Sequence, residues 1–409
     1  MDTINAPAKK NVLFVDDEPN ILAGIQRALR SIRHDFNFFF AENGVEALKM
    51  MDQQSIAIIV SDMRMPGMDG AQLLTEVQQR HPQTIRIMLT GHAEEEAILR
   101  TVNVVHQLLA KPCEPNTLKQ TLQRSSTLHD LITDEVLKGI VSGLGSLPSL
   151  PAIYSKLVRT LKDPDSALDD VATIIEQDVA MTAKLMQLVN SSFFGIFQKI
   201  DNTGRAVKLL GLDTIKDLVL GMQVFDSITI LSTDLRPENL WHHSILVAQA
   251  SKQIALKADA DTEMINNCYI AGMLHDIGRL LLASKMDERY AETVSLAKST
   301  NKTLTEAERE VFQVTHAELG AYLIGLWGFH VDIFEALAFH NNLDAYTKNT
   351  FSAAIAVHIA DYCYYQQYPD NCIGSPPVLN LDFINGLQPE AELELWLRAA
   401  QESMAKSNS

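Results

Sequence analysis

Short apolar runs recur at 11–15 (NVLFV), 36–40 (FNFFF), 56–60 (IAIIV), 85–89 (IRIML) and 105–110 (VHQLLA). Residues 19–31, 44–53, 70–80 and 93–102, which lie between them, carry apolar positions at helical spacing. Strands that alternate with helices predict a doubly wound α/β domain on a five-stranded parallel sheet, covered on both faces. Sites in such sheets form at the carboxyl ends of the strands. The polar residues fall there: Asp16 and Asp17 after the first run, Asp62 after the third, Thr90 after the fourth and Lys111 after the fifth.

The pattern changes further on. Residues 113–130 predict one more helix, starting after Pro115, with Leu118, Leu122 and Leu128 on its apolar side and a continuation toward HDLITDEVLKGI. Residues 142–151 (SGLGSLPSLP) break it. From Ala152 on there is almost no strand patterning. Helical spacing is clear at 152–161, 166–176, 179–190, 203–209, 213–230, 240–258, 261–271, 289–299, 305–325, 331–339 and 350–365, and a final helix is expected at 389–404 with Leu393, Leu395, Trp396 and Ala399 inward. Pro164 marks a loop and helix start, and Gly211 a helix stop. The chain is thus multidomain, α/β and then all-α. Phe193, Phe194 and Phe197 around Gly195 read as core at a helix junction, as do Trp327 and Phe329. Tyr362, Tyr364, Tyr365 and Tyr368 read as core packing or a subunit contact.

The net charge is −17, with no basic tail or cluster, which argues against a broad nucleic-acid surface. Cys113, Cys268, Cys363 and Cys372 show no paired spacing, and Cys268 reads as a small buried hydrophobe. The polar N-terminus lacks an apolar signal core, and no stretch reaches the ~20 apolar residues of a membrane helix. The expectation is a cytoplasmic protein.

Three carboxylates facing one loop repel each other unless a hard cation such as Mg²⁺ joins them. Asp62 would then be a nucleophile toward a phosphoryl donor, with Lys111 neutralising charge and Thr90 donating to a transferring oxygen. A lone acidic residue at a loop is usually just solvated; five residues at matching strand ends are not explained that way. Trans is the default for Lys111–Pro112, and a cis bond would place the lysine by a tight turn. In the helical region His242, His243, His275, His316 and His340 fall in or beside helices, with Asp276 directly after His275 in the same predicted helix and Asp361 later. Should the helices converge, His243, His275, Asp276, His316, His340 and Asp361 would form a mono- or dinuclear site suited to Fe, Mn, Zn or Ni, able to activate a water against a phosphoester. The other reading is a set of packed, structural histidines.

Residues 11–122 resemble the receiver domain of two-component response regulators through VDDEPN, SDMRMPGMDG, MLTG and KP. The resemblance implies Asp62 as the phosphorylated residue, Asp16 and Asp17 as its acidic pocket, Thr90 as switch hydroxyl, Lys111 as the conserved lysine and the Arg64 carbonyl as a Mg²⁺ ligand. It departs at Leu108, where the family often has an aromatic. Residues from about 144 to 345 resemble the HDOD output domain, a relative of HD phosphohydrolases, through LPSLPAIYSKLVRTLKDPDS, VNSSFFG, AVKLLG, LWHHS, AGMLHDIGRLLL, THAELGAYLIGLWG and FHNN. That family implies a helical signalling module, most of whose members have lost the metal ligands. Here His243, His275, Asp276, His316, His340 and Asp361 match the ligand positions of metal-dependent HD enzymes. The HHE and GYP signature of the cyclic-dinucleotide branch is missing: Asn341 and Asn342 follow His340, and Arg279 stands at that branch's lysine.

The expectation is therefore a receiver at 1–124, a helical linker at 125–147, an HDOD output at 148–345 and a helical extension packed on it at 346–409. A sensor histidine kinase would phosphorylate Asp62, and the output would engage a downstream signalling protein rather than DNA, RNA or a membrane, with a homodimer as the prior state. The alternative is a phosphorylation-gated, metal-dependent phosphohydrolase.

Overall fold

The computed structural model describes residues 9–91, 101, 103–132, 134–144, 147–149, 151–163, 166–189, 200, 202–216, 219, 225–227, 237–348, 350–386 and 390–406. The helix expected at 93–102, the Phe193, Phe194 and Phe197 group, Pro164 and most of 217–236 lie outside the described residues, apart from residue 101. The chain divides into two compact units, one built on Met1–Gly145 and the other on Ser146–Val189, Lys199–Ile324 and Phe329–Ser409.

In the first unit β1 (Lys10–Val15), β2 (Phe36–Ala41), β3 (Ile58–Asp62), β4 (Ile85–Thr90) and β5 (Gln107–Ala110) form a parallel sheet in the order β2-β1-β3-β4-β5. The central strands β3 and β4 are buried throughout and mainly apolar, as in sheets covered on both faces. Leu13, Ile59 and Met88 pack with Leu73 and Val77 and with the buried Leu108. The helices are α1 (Pro19–Ala28), α2 (Gly44–Gln53), α3 (Gly70–Arg80), α4 (Pro115–Leu131) and α5 (Glu135–Ser142). Asn43 caps α2 by accepting from Glu46 N, and Asp69 with Gln72 forms a capping box on α3. Proline opens α1 and α4, where its missing N–H costs nothing.

Two expectations are corrected in this unit. Helix α4 does not run on, because Ile132 is extended and Asp134 starts α5 by accepting from Val136 N and Leu137 N. An aspartate ahead of three good helix formers is a cap signal, and it outcompetes continuation. The Lys111–Pro112 peptide is cis, not the trans default; proline lowers the preference for trans.

The second unit is helical: α6 (Pro151–Lys162), α7 (Leu168–Ile175), α8 (Val179–Val189), α9 (Thr203–Lys216), α10 (Pro237–Lys257), α11 (Thr262–Leu274), α12 (Ile277–Lys285), α13 (Asp287–Thr300), α14 (Leu304–Phe312), α15 (His316–Leu326), α16 (Val331–Phe339), α17 (Ala353–Gln367), α18 (Leu381–Asn385) and α19 (Glu390–Lys406). Helix α10 is its centre, packed against α11, α17 and α19. Gly211 interrupts α9 with φ 74, the conformation that favours glycine. Three readings are revised. Residues 225–227, expected in a helix, pair in parallel with 147–149 as a short two-stranded sheet. The long helix at 305–325 is two helices, since Gln313 turns left-handed at φ 61. In α19 Leu393, Trp396 and Ala399 are buried as expected, but Leu395 is 42% exposed and Ala400 and Met404 complete the inner face. Two residues along a helix is a turn of about 200°, so Leu393 and Leu395 cannot share a face. Cys268, Trp327 and Phe329 are buried.

Candidate functional sites

The three strand ends of the first unit converge. Lys111 Nζ lies 2.8 Å from Asp16 Oδ2 and 2.6 Å from Asp62 Oδ1. Asp16 Oδ1 also accepts from Glu18 N, which fixes the turn after β1. Asp16, Asp17 and Asp62 each present a carboxylate oxygen within 4.8 Å of the others, a grouping able to hold a hard cation. Burial raises the Asp62 carboxyl above its ordinary range, against the pull of Lys111, which bonds to it and carries the opposite charge. The lysine is disfavoured by burial, yet its bonds to Asp16 and Asp62 raise it overall, so it stays charged. Thr90 is buried at the end of β4, and its hydroxyl donates to Gly91 O at 3.3 Å. Arg64, two residues beyond Asp62, has an exposed side chain. Gly70 makes the corner possible: a Cβ there would stand 2.1 Å from the carbonyl oxygen of Asp62.

In the second unit six helices or their ends bring the histidines together. His243 comes from α10, His316 from the start of α15, His340 from the end of α16 and Asp361 from α17. His275 and Asp276 are not inside one helix. They form the junction at which α11 ends and α12 begins. Gly278 sets the spacing, because a Cβ on it would meet the His316 carbonyl oxygen at 1.9 Å. All six side chains are buried.

The hydrogen bonds behind the rings decide what the rings can do. His275 Nδ1 donates to Gly272 O at 2.8 Å and His340 Nδ1 to Leu337 O at 2.8 Å, since carbonyl oxygens only accept. His316 Nδ1 donates to Glu308 Oε2 at 2.7 Å, and the same oxygen accepts from His316 N. Each bond leaves Nε2 as the inward-facing donor atom, the arrangement that orients a metal-binding imidazole. His243 Nε2 is 2.9 Å from His275 Nε2, 3.4 Å from Asp276 Oδ2 and 3.1 Å from Asp361 Oδ1. Ligands about 2.1 Å from a shared cation stand about 3.0–3.4 Å apart, so this set fits one ion. Asp361 Oδ1 makes no well-aligned hydrogen bond among the described residues despite that neighbour. The other oxygen of Asp276, Oδ1, is 3.1 Å from His316 Nε2, so the carboxylate links two groups, His243–His275–Asp276 and Asp276–His316–His340.

Electrostatics differ across the cluster. Burial opposes a charge on His316, but Glu308 and Asp276 outweigh it and raise the ring to about 10. His340 is pushed down to about 3 by burial and by His275 and His316. Burial would raise Asp276, but Arg279 and the surrounding histidines hold it well below the usual carboxylate range. Arg279 Nη1 donates to Asp276 Oδ2 at 2.6 Å and reaches Tyr365 Oη at 3.4 Å. A cleft of about 260 Å³ opens on Asp276, Arg279, His316, Asn341 and Asp361. A second, of about 340 Å³, reaches His243, Arg279, Tyr364 and Tyr365.

Glu308, Asn341 and the tyrosine wall were not singled out as site residues from the sequence. Arg279 sits one helical turn after Asp276, a spacing that could have paired them. Glu308 is on the helix before His316 across a turn, and no local motif marks it. His242 is exposed and stacks edge-on with Tyr368, outside the cluster.

Residues 12–123 match the family model for the response regulator receiver domain, and residues 147–343 match that for the HDOD domain. The chain is a receiver–HDOD response regulator. An uncharacterized protein of Treponema pallidum is 26% identical to it over 260 residues, 63% of this chain and 48% of that protein. The transcriptional regulatory protein GlrR of Escherichia coli is 32% identical over 126 residues, 31% of this chain and 28% of the relative. The alignments thus span about half or less of these curated relatives. Among solved structures, the MmoQ response regulator of Methylococcus capsulatus is 24% identical, covers 62% of this chain and 98% of its own, and has a TM-score of 0.45. An HDOD domain protein from Geobacter sulfurreducens is 23% identical, covers 71% and 94%, and has a TM-score of 0.36. Within the receiver–HDOD chain, Asp16, Asp62 and Lys111 fall in the receiver match. His243, His275, Asp276, His316 and His340 fall in the HDOD match. Asp361, Tyr364 and Tyr365 come from beyond it. No helix among the described residues is long and apolar enough to cross a membrane.

Proposed function

We propose that a sensor histidine kinase phosphorylates this regulator on Asp62, and that the phosphorylated receiver controls the HDOD module, which acts on a partner protein rather than on DNA. The observation that carries this reading is Lys111 Nζ held between Asp16 and Asp62 at 2.8 and 2.6 Å. In the transfer, an Asp62 carboxylate oxygen bonds to phosphorus as the bond from phosphorus to the kinase imidazole breaks, and the ring, already protonated on its other nitrogen, keeps the bonding pair and leaves as neutral imidazole. A Mg²⁺ held by Asp16, Asp17, Asp62 and the Arg64 carbonyl would supply charge neutralisation at the transferring oxygens. Lys111 keeps its proton in this setting and can turn from Asp62 Oδ1 to a phosphoryl oxygen. Thr90 lies at the neighbouring strand end as the hydroxyl that follows it. The net charge of −17 supports a protein rather than a nucleic-acid partner. The receiver is taken as 1–124, the linker as 125–147, the HDOD module as 148–345 and the extension as 346–409, with the regulator acting as a cytoplasmic homodimer. The test is labelling of the full chain with radioactive acetyl phosphate and Mg²⁺. One acid-stable, hydroxylamine-labile phosphoryl group that vanishes in Asp62→Asn is expected; equal labelling of the variant would sink the assignment.

A second reading, a metal-dependent phosphohydrolase in the HDOD module, is favoured by one specific feature: three imidazoles have Nδ1 already committed, and two of them, His275 and His316, turn Nε2 to the carboxylates of Asp276 and Asp361. That donor set fits Fe, Mn, Zn or Ni better than Ca. A metal held there would supply a water acidic enough to attack a phosphoester. Elemental analysis of protein purified without a metal-affinity column tests it, beside His275→Ala with Asp276→Ala. Bound metal that disappears in the variant is expected; no metal after reconstitution would leave the histidines with a structural role.

A further inference from the structure

The two halves of the histidine cluster are not equally open to a cation. His243 Nε2, His275 Nε2 and Asp361 Oδ1 stand 2.9, 3.1 and 3.7 Å from one another, close to the spacing of ligands around one cation. In the other half, Asn341 Nδ2 is 2.8 Å from His340 Nε2 and 3.1 Å from His316 Nε2. His340 Nδ1 donates to Leu337 O, which leaves Nε2 to accept from the Asn341 amide. The amide nitrogen therefore stands near both imidazoles where a second cation would have to sit, about 2.1 Å from each. At His340 Nε2 it supplies by a hydrogen bond the positive end that a metal would supply by coordination.

Resting on the reading of this cluster as a metal centre, we propose that Asn341 is a built-in stopper: the chain binds one divalent transition metal, at His243, His275, Asp276 and Asp361, and the position between Asp276, His316 and His340 is closed by its side chain. Asn341 directly follows His340, past the end of α16, and is half-buried. It borders the cleft of about 260 Å³ over the cluster and another of about 370 Å³ between α14 and α16. Those spaces give the side chain somewhere to turn, so the stopper can be removed without rebuilding the ligands. The consequence is chemical. One metal can polarise a phosphoester or activate a water, whereas two can hold the attacking and leaving oxygens at once.

The experiment counts metal. Full-length protein, stripped with chelator, is loaded with Mn²⁺ in excess Mg²⁺ so that the receiver pocket holds magnesium, then desalted and analysed by plasma mass spectrometry. The expected stoichiometry is one Mn per chain for the native protein and two for Asn341→Ala. Asn341→Asp, which keeps the shape and offers a ligand oxygen, is also expected to hold two, and circular dichroism checks that both variants fold. Two Mn in the native chain, or one in the native chain and in both variants, overturns the stopper while leaving the metal centre standing. No Mn in any of the three overturns the metal reading itself, and the stopper with it.

Discussion

Single atoms decide both candidate sites, and glycine is where the sequence enforces them. Gly278 has no Cβ because one would stand 1.9 Å from the His316 carbonyl oxygen, which is backbone and cannot turn aside. Gly278→Ala is expected to cost roughly 1–3 kcal/mol, as overpacking does, and to lower metal affinity by pushing α12 off α15. Denaturant midpoints of metal-free protein and a competitive chelator titration measure the two effects separately; an unchanged midpoint would mean that the approach is looser than described. Asp332 offers a pH test away from the ligands. The His330 bond, more than Lys348, depresses its carboxyl to about 2. A depressed carboxyl contributes stability above its unfolded value of 3.8 that is lost as pH falls through about 2. The cost of Asp332→Asn in urea should therefore be on the order of 2 kcal/mol near neutrality and shrink toward zero below pH ~2. A cost independent of pH would refute the pairing. At this scale the receiver pocket was readable in advance, since Asp16, Asp62 and Lys111 are placed by strand ends that the apolar runs mark. Glu308 and Asn341 were not, since what defines them is a contact made only when α14, α15 and α16 pack.

Elements show the same division. Among the described residues, strand and helix positions in the first unit followed from periodicity, because each run is short, apolar and bounded by polar loops. What periodicity missed was local backbone chemistry. Gln313 in the left-handed region split one apparent helix, Asp134 began a helix where another seemed to continue, and the His275–Asp276 pair proved to be a joint between helices. The helix that Asp134 starts, α5, is closed at its other end by side chains of the sheet domain. Arg86 Nη2 donates to Ser142 O, His106 Nε2 lies 2.8 Å from the same oxygen, and Gln78 Nε2 donates to Gly143 O at 3.1 Å. Cations and donors at a helix C-terminus satisfy carbonyls that have no partner within the helix. Arg86→Met keeps the apolar stem but removes the guanidinium's bonds to Ser142 O and to the Pro82, Thr84 and Val104 carbonyls, and should cost at least about 1.5–3 kcal/mol, the range for one hydrogen bond to a charged group. Amide exchange in 136–142 should accelerate while β1 and β3 stay protected. If exchange in α5 is unchanged, apolar packing of Leu137 and Val141 holds the helix and the guanidinium serves only its other carbonyls, of Pro82, Thr84 and Val104.

For the whole molecule, the order of an α/β unit and a helical unit was legible because the two kinds of periodicity do not overlap in the chain. The convergence of the histidines was legible only as a condition, since nothing in a one-dimensional pattern fixes where α10, α12, α15, α16 and α17 meet. A regulator that works by shifting populations needs units with stabilities of their own, each biased by its own ligand. Calorimetry of the stripped full chain is therefore expected to resolve two unfolding transitions. Mn²⁺ in excess Mg²⁺, at about a hundred times its dissociation constant, should stabilise one of them by about 2.7 kcal/mol and leave the other in place. The shift should vanish in His275→Ala with Asp276→Ala, which identifies that transition as the helical unit. Acetyl phosphate with Mg²⁺ should raise the remaining transition, and fail to do so in Asp62→Asn. Two ligands acting on two separate transitions would mean that each site reports the folding of its own unit. Both ligands moving a single transition would mean that the chain unfolds as one block, and any switch would then have to act through changes smaller than unfolding of either unit.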